Sequence, residues 1–217
     1  MDKLKNETLK FLWKDDSKLV ERELVRYKKV ASYITSGGKL LDVGCRGGEL
    51  RKYVNEKLEY YGTDFIEHYK EFVPNFIHHD ITSSNFPKQD NCFDYIYLGE
   101  ILEHISNFFF VFEEMYRILK PNGLLIITVP NNFNAYQALG VVKYKKYKKK
   151  CLDIKRVINA DTHIHSFYEP DFLKICQMLG FKPVDADRFS NSYKKIKLPE
   201  IPLFKPFAKF ILYVARK

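Results

Sequence analysis

The chain has 217 residues, 46% of them apolar, with a formal net charge of +9. That length suits one α/β domain with room for an inserted lid, and that apolar share excludes a chain disordered throughout. Cys45, Cys92, Cys151 and Cys176 are scattered with no C-x-x-C pair, and the start lacks the apolar core of a signal peptide; both speak against a disulfide or zinc framework and for a reducing, cytoplasmic setting.

In chain order, residues 7–34 place Leu19, Leu24, Tyr27 and Val30 at helical spacing and predict an N-terminal helical segment within 1–36, stopped by Gly37 and Gly38. Lys39–Val43 reads as a first strand, followed by a glycine turn and a short helix near Glu49. Leu58–Thr63 is a second strand ending on Asp64, and Phe76–His79 a third ending on Asp80. Phe93–Leu98 is a fourth, rich in tyrosine and isoleucine. Ser106–Leu119 predicts a helix, Lys120-Pro-Asn-Gly123 a turn, and Leu124–Val129 a buried strand stopped by Pro130. Asp171–Leu179 predicts a helix capped by Gly180, with Phe181–Phe189 and Phe207–Arg216 as the last strands. Strands alternating with helices imply a doubly wound, mostly parallel sheet in a single domain over 1–217.

The run Leu40-Leu-Asp-Val-Gly-Cys-Arg-Gly-Gly-Glu-Leu50 is the richest in chemistry. Glycines at 44, 47 and 48 let a ligand lie against bare main chain. A dinucleotide fingerprint would need glycine where Arg46 and Glu49 stand, and an acid before the turn disfavours phosphate. A ligand with ribose and cationic groups but no phosphate suits the pattern better, and S-adenosylmethionine has that makeup. The first three strands all end on an acid: Asp42, Asp64 and Asp80. Asp64 follows the turn by about 20 residues, the separation at which an acid reaches ribose hydroxyls in such folds. Asp80 is placed to accept from an adenine amino group; capping a helix is the plainer role for each acid.

These segments, with Tyr61-Gly-Thr-Asp64, His79-Asp-Ile81, Phe93-Asp-Tyr-Ile-Tyr-Leu98, Glu103-His-Ile105 and Leu119-Lys-Pro-Asn-Gly-Leu-Leu-Ile126, resemble class I S-adenosylmethionine-dependent methyltransferases over nearly the whole chain. The resemblance implies a Rossmann-like, seven-stranded sheet whose last strand is antiparallel, and a substrate lid over 131–165. It implies cofactor contacts from Asp42, Gly44, Cys45, Gly48, Asp64, Phe65, Asp80, Ile81 and Leu98. The family usually has glycine where Arg46 stands.

After the fourth strand, Glu100, Glu103 and His104 share one face if the segment is helical. His163 and His165 follow later, and His104 and His165 are the catalytic candidates. The arrangement resembles two metal-dependent branches of the family, one acting on phenolic hydroxyls in quinone biosynthesis and one on the terminal 2′-hydroxyl of small RNAs. Carried over, the ligands of a divalent ion (Mg, Mn, Zn or Co) would be Glu100, Glu103, His104 and His165. Without a metal, His104 would serve as a base or orient the substrate.

Between Gly140 and Arg156 stand seven lysines, one arginine and one aspartate, most of the chain's positive surplus. The run Lys143–Lys150, with Tyr144 and Tyr147 interleaved, would grip RNA phosphates and stack bases, favour acidic glycans or lipid headgroups, or remain a solvated face. The expected function is O-methylation of a small-molecule, sugar or lipid-linked acceptor. An RNA 2′-O-methyltransferase and a non-catalytic cofactor-binding subunit are the alternatives.

Overall fold

A computed structural model describes residues 20–131, 169–193, 196–197 and 208–217. Eight strands form one sheet: β1 (Gly38–Val43), β2 (Leu58–Asp64), β3 (Phe76–His78), β4 (Phe93–Gly99), β5 (Leu119–Pro130), β6 (Lys182–Tyr193), β7 (Ile196–Lys197) and β8 (Ala208–Arg216). Their order is β3-β2-β1-β4-β5-β8-β6-β7. Strands β1 to β5 pair in parallel, and β8 runs antiparallel between β5 and β6, as expected of the last strand. The two-residue β7 only extends the end of β6, so seven strands carry the body.

Helix α1 (Val20–Ala31) precedes β1, α2 (Phe108–Ile118) precedes β5, and α3 (Glu169–Met178) precedes β6. Asn107 caps α2 by accepting from the Phe110 N–H at 3.4 Å. The strand order reverses between β1 and β4, which puts the ligand crevice beyond the C-terminal ends of those two strands.

Each strand feeds two cores, because successive side chains point to opposite faces. Leu41, Val43, Ile96, Leu98, Leu125 and Ile127 pack with Phe112 and Met115 of α2 and Phe172 and Cys176 of α3. Leu40, Tyr60, Tyr95, Tyr97 and Ile126 pack with Val30 of α1 and with Ile34. Helix α1 and the turn after it are tied to β6 by a 2.8 Å ion pair between Lys29 and Asp187 and by the Tyr33 hydroxyl, which donates to Asp185.

Three sequence expectations shift. The helix after the glycine turn is a single 3-10 turn, Glu49–Lys52. The Lys120–Gly123 turn is absorbed into β5, which starts at Leu119 opposite Phe93 and breaks register before Tyr95, with Asn122 at φ 66°. The third strand stops at His78. Residues 1–19 and 132–168, which hold the start of the N-terminal segment, the expected lid (bar Asn131), the basic run Lys143–Lys150 and both His163 and His165, lie outside the described residues. Among the described residues, no helix is long and apolar enough to cross a membrane.

Candidate functional site

The glycine turn is fastened to the end of β2. The Thr63 carbonyl accepts from the N–H of Gly44 at 2.8 Å and of Cys45 at 3.1 Å, and the Gly48 N–H closes onto the Cys45 carbonyl at 2.8 Å. Gly44 and Gly48 have φ 71° and 73°, and Arg46 between them has φ 47°. Arg46 therefore holds a left-handed backbone that glycine adopts at no steric cost, which explains why glycine suits that position. At Gly44 a Cβ would also lie 2.6 Å from the Ile101 side chain, so the β4 loop is packed directly on the turn.

The strand-end acids differ in what surrounds them. Asp64 is buried, and its carboxylate accepts the Arg46 N–H at 3.2 Å and the Ile66 N–H at 3.0 Å. Burial raises its pKa, while those backbone bonds pull it down. Each oxygen keeps a second lone pair for a ligand hydroxyl. Phe65, next in the chain, is 66% exposed at this edge, and its carbonyl is within 3.0 Å of the His78 Nε2. Asp80 is exposed, and its Oδ1 accepts from the N–H and hydroxyl of Thr82, the local turn-capping role open to any aspartate. Ile81 and Leu98 pack with the core on the α2 face, Leu98 fully buried. The Cys45 side chain turns into the opposite core, and burial followed by the charges of Asp42 and Asp64 pushes its thiol up.

Asp42 lies inside the molecule beside β2. Burial raises its carboxyl to about 7, against the pull of the Tyr60 hydroxyl, which donates to it, and of Arg26. Arg26 is the one buried cation among the described residues, 7% exposed, with Nη2 3.2 Å from the Tyr27 hydroxyl. Its charge also acts on Glu103 and Tyr97. Neither Arg26 nor Tyr60 was a candidate from sequence. The available signal was an arginine on the apolar face of a helix leading into the first strand.

The segment after β4 departs from expectation. Glu100 has φ 55°, and Leu102–His104 is a single 3-10 turn, so Glu100, Glu103 and His104 do not line one α-helical face. Their exposure also differs. Glu103 is 1% exposed, and burial with the nearby charge of Glu100 pushes it up to about 8. His104 is exposed, its Nε2 3.8 Å from a Glu103 oxygen. Among the described residues, no three His, Cys, Asp or Glu side chains form a group able to hold a metal ion.

The residues fit the expected cofactor. The left-handed main chain of the turn bares backbone for close approach, Asp64 offers hydroxyl acceptors, and Asp42 and Arg26 provide one charge of each sign.

Residues 13–186 match the methyltransferase-domain family. The mitochondrial ubiquinone biosynthesis O-methyltransferase of Rattus norvegicus is 32% identical over 120 residues, covering 49% of this chain and 35% of its own. The demethylmenaquinone methyltransferase of Staphylococcus haemolyticus is 31% identical over 107 residues, covering 43% of this chain and 44% of its own. The chain thus spans between a third and a half of the curated relatives it matches. A structure of an S-adenosylmethionine-dependent methyltransferase from Archaeoglobus fulgidus superposes with TM-score 0.66 over 92% of this chain and 94% of its own, at 19% identity, a likeness of fold.

Proposed function

We propose that this chain, which belongs to the S-adenosylmethionine-dependent class I methyltransferases, methylates an oxygen of a small acceptor, with His104 taking the acceptor's proton. The observation that carries the proton step is the Glu103–His104 pair, which follows β4 on the same sheet edge as the glycine turn and is packed onto that turn through Ile101. When bound, S-adenosylmethionine supplies a methyl group on a sulfonium leaving group, so alignment and one proton transfer are what the protein must add. Asp64 accepts the ribose hydroxyls, Asp42 faces the cationic end, and Arg26 pairs with the carboxylate of the amino-acid end. His104, partly open to solvent, takes up the hydroxyl proton, and the buried Glu103 carboxyl beside it orients the imidazole.

The relative named an O-methyltransferase of ubiquinone biosynthesis supports an oxygen acceptor on a small ring compound. The demethylmenaquinone methyltransferase of Staphylococcus haemolyticus likewise supports a small quinone-type acceptor over an RNA or a glycan.

The test is turnover of a panel of catechols and phenols, read as S-adenosylhomocysteine release, for the wild type and for His104→Gln. We expect kcat to fall by about 10²–10⁴ in the variant with cofactor affinity unchanged. A variant that turns over at the wild-type rate would remove His104 from the reaction. An EDTA arm separates this base from an ion held by Glu100, Glu103, His104 and His165: activity lost to the chelator and restored by Mg, Mn, Zn or Co would favour the ion.

A further inference from the structure

Beneath the glycine turn, the α1 face of the sheet carries a row of polar side chains where the rest of that face is apolar. Register sets Leu40 beside Tyr60 and Tyr95, and Asp42 beside Gly62 and Tyr97. Asp42 thus has no side chain next to it on β2. Glycine is required at 62 because a Cβ there would lie 2.6 Å from both Cys45 Sγ and Val73 Cγ1, which fill that space. Tyr60, two residues earlier on the same face, donates its hydroxyl to Asp42 Oδ2. On the other side, the Tyr97 hydroxyl is taken by Thr128 Oγ1 at 2.9 Å. The same Tyr60 hydroxyl lies 3.6 Å from where a Cβ of Gly48 would be, so it braces the far end of the turn as well.

We propose that Tyr60 is a positioning residue for the cofactor: its buried hydroxyl, donating to Asp42, favours the carboxylate over the neutral acid and holds it oriented toward the cationic end of S-adenosylmethionine. The proposal rests on the cofactor site described above. Even with Tyr60 and Arg26 pulling it down, burial leaves this carboxyl at about 7, and a protonated Asp42 gives a cation no charge to pair with. The groups facing it are Tyr60 and Asp64 of β2, Tyr97 of β4, Cys45 of the turn and Arg26 of α1. Tyr60 and Arg26 favour the charge and Asp64 opposes it, so deleting the Tyr60 hydroxyl moves the balance toward the neutral acid.

Titration calorimetry with S-adenosylmethionine between pH 6 and 9.5 tests this on the wild type, Tyr60→Phe and Asp42→Asn. In the wild type, affinity should rise with pH through the Asp42 titration and level off. In Tyr60→Phe the rise should move to higher pH, leaving binding about tenfold weaker at pH 7 and nearly recovered by pH 9.5. Asp42→Asn should bind weakly at every pH. A Tyr60→Phe curve that is unchanged, or lowered equally at all pH values, would make Tyr60 a packing residue and overturn the proposal. Should Tyr60→Phe not fold, ¹³C labelling of aspartate carboxyls in the wild type serves instead. The Asp42 resonance must titrate in the free protein and stay ionised under saturating cofactor; a resonance indifferent to both overturns the proposal. A wild type that binds no cofactor at any pH defeats the cofactor site itself, whereas binding with an unshifted variant curve defeats only the role of Tyr60.

Discussion

The two faces of the sheet are built from neighbouring residues of the same strands and do different work. On the α2 and α3 face, Leu41, Val43, Ile96, Leu98, Ile127 and Phe112 form an apolar core. On the α1 face, the strand positions between them carry Tyr60, Asp42, Tyr97 and Thr128, with Arg26 the buried cation nearby. A one-residue step along β1, from Leu41 to Asp42, crosses from stability to electrostatics. The apolar face packs the sheet against α2 and α3, and in the proposed reading the polar face sets the charge presented to the cofactor.

Truncation on the apolar face gives the largest effect and sharpens the division. Phe112 is fully buried and packs edge-on against Phe172 and Phe181. Phe112→Ala should cost about 3–5 kcal/mol of unfolding free energy in urea. At temperatures where the variant stays folded, its affinity for S-adenosylmethionine should match the wild type. A loss of affinity in the folded variant would show that the two faces are not separate.

A change on the polar face should act in the opposite sense. The Asp42 carboxyl stands at about 7 in the folded protein, against an ordinary aspartate value of 3.8. Because the folded value is raised, the unfolded chain gives up this proton first as pH increases. The carboxylate therefore costs nothing below about pH 4, costs progressively more up to about pH 7, and costs its full amount above that. Asp42→Asn should accordingly stabilise the free protein at pH 8 relative to pH 4, by about 2–4 kcal/mol in the difference between the two, while weakening cofactor binding. Denaturation at the two pH values checks this; equal effects at both would mean that Asp42 is not held against its tendency to protonate.

Much of the scaffold was legible because it is written in local patterns. Apolar runs ending on acids marked β1 and β2, and the order of strands and helices implied the parallel sheet; the reversal of β8 came only with the family resemblance. Glycine spacing marked the turn, and Arg46 stood out as the departure that the backbone at φ 47° confirms as a strained position. The polar row was not legible. Tyr60 reads as an ordinary strand tyrosine until the register of β1 against β2 brings its hydroxyl to Asp42. Arg26 needed the packing of α1 on the sheet. Glu100, Glu103 and His104 misled for a different reason: a spacing of three suits an α-helix and a 3-10 turn alike, and the left-handed Glu100 that precedes the turn leaves no mark in the sequence.

The most direct test is calorimetric titration of S-adenosylmethionine into the wild type and Asp64→Ala, with melting temperatures taken alongside. Asp64 holds both sides of the crevice, through the N–H groups of Arg46 and Ile66, and is the acceptor assigned to the ribose. The wild type should bind and melt higher with ligand, and the variant should bind more weakly by about 1–3 kcal/mol while remaining folded. No binding by the wild type, or equal affinity in a folded Asp64→Ala, would contradict a cofactor site built on the ends of β1 and β2.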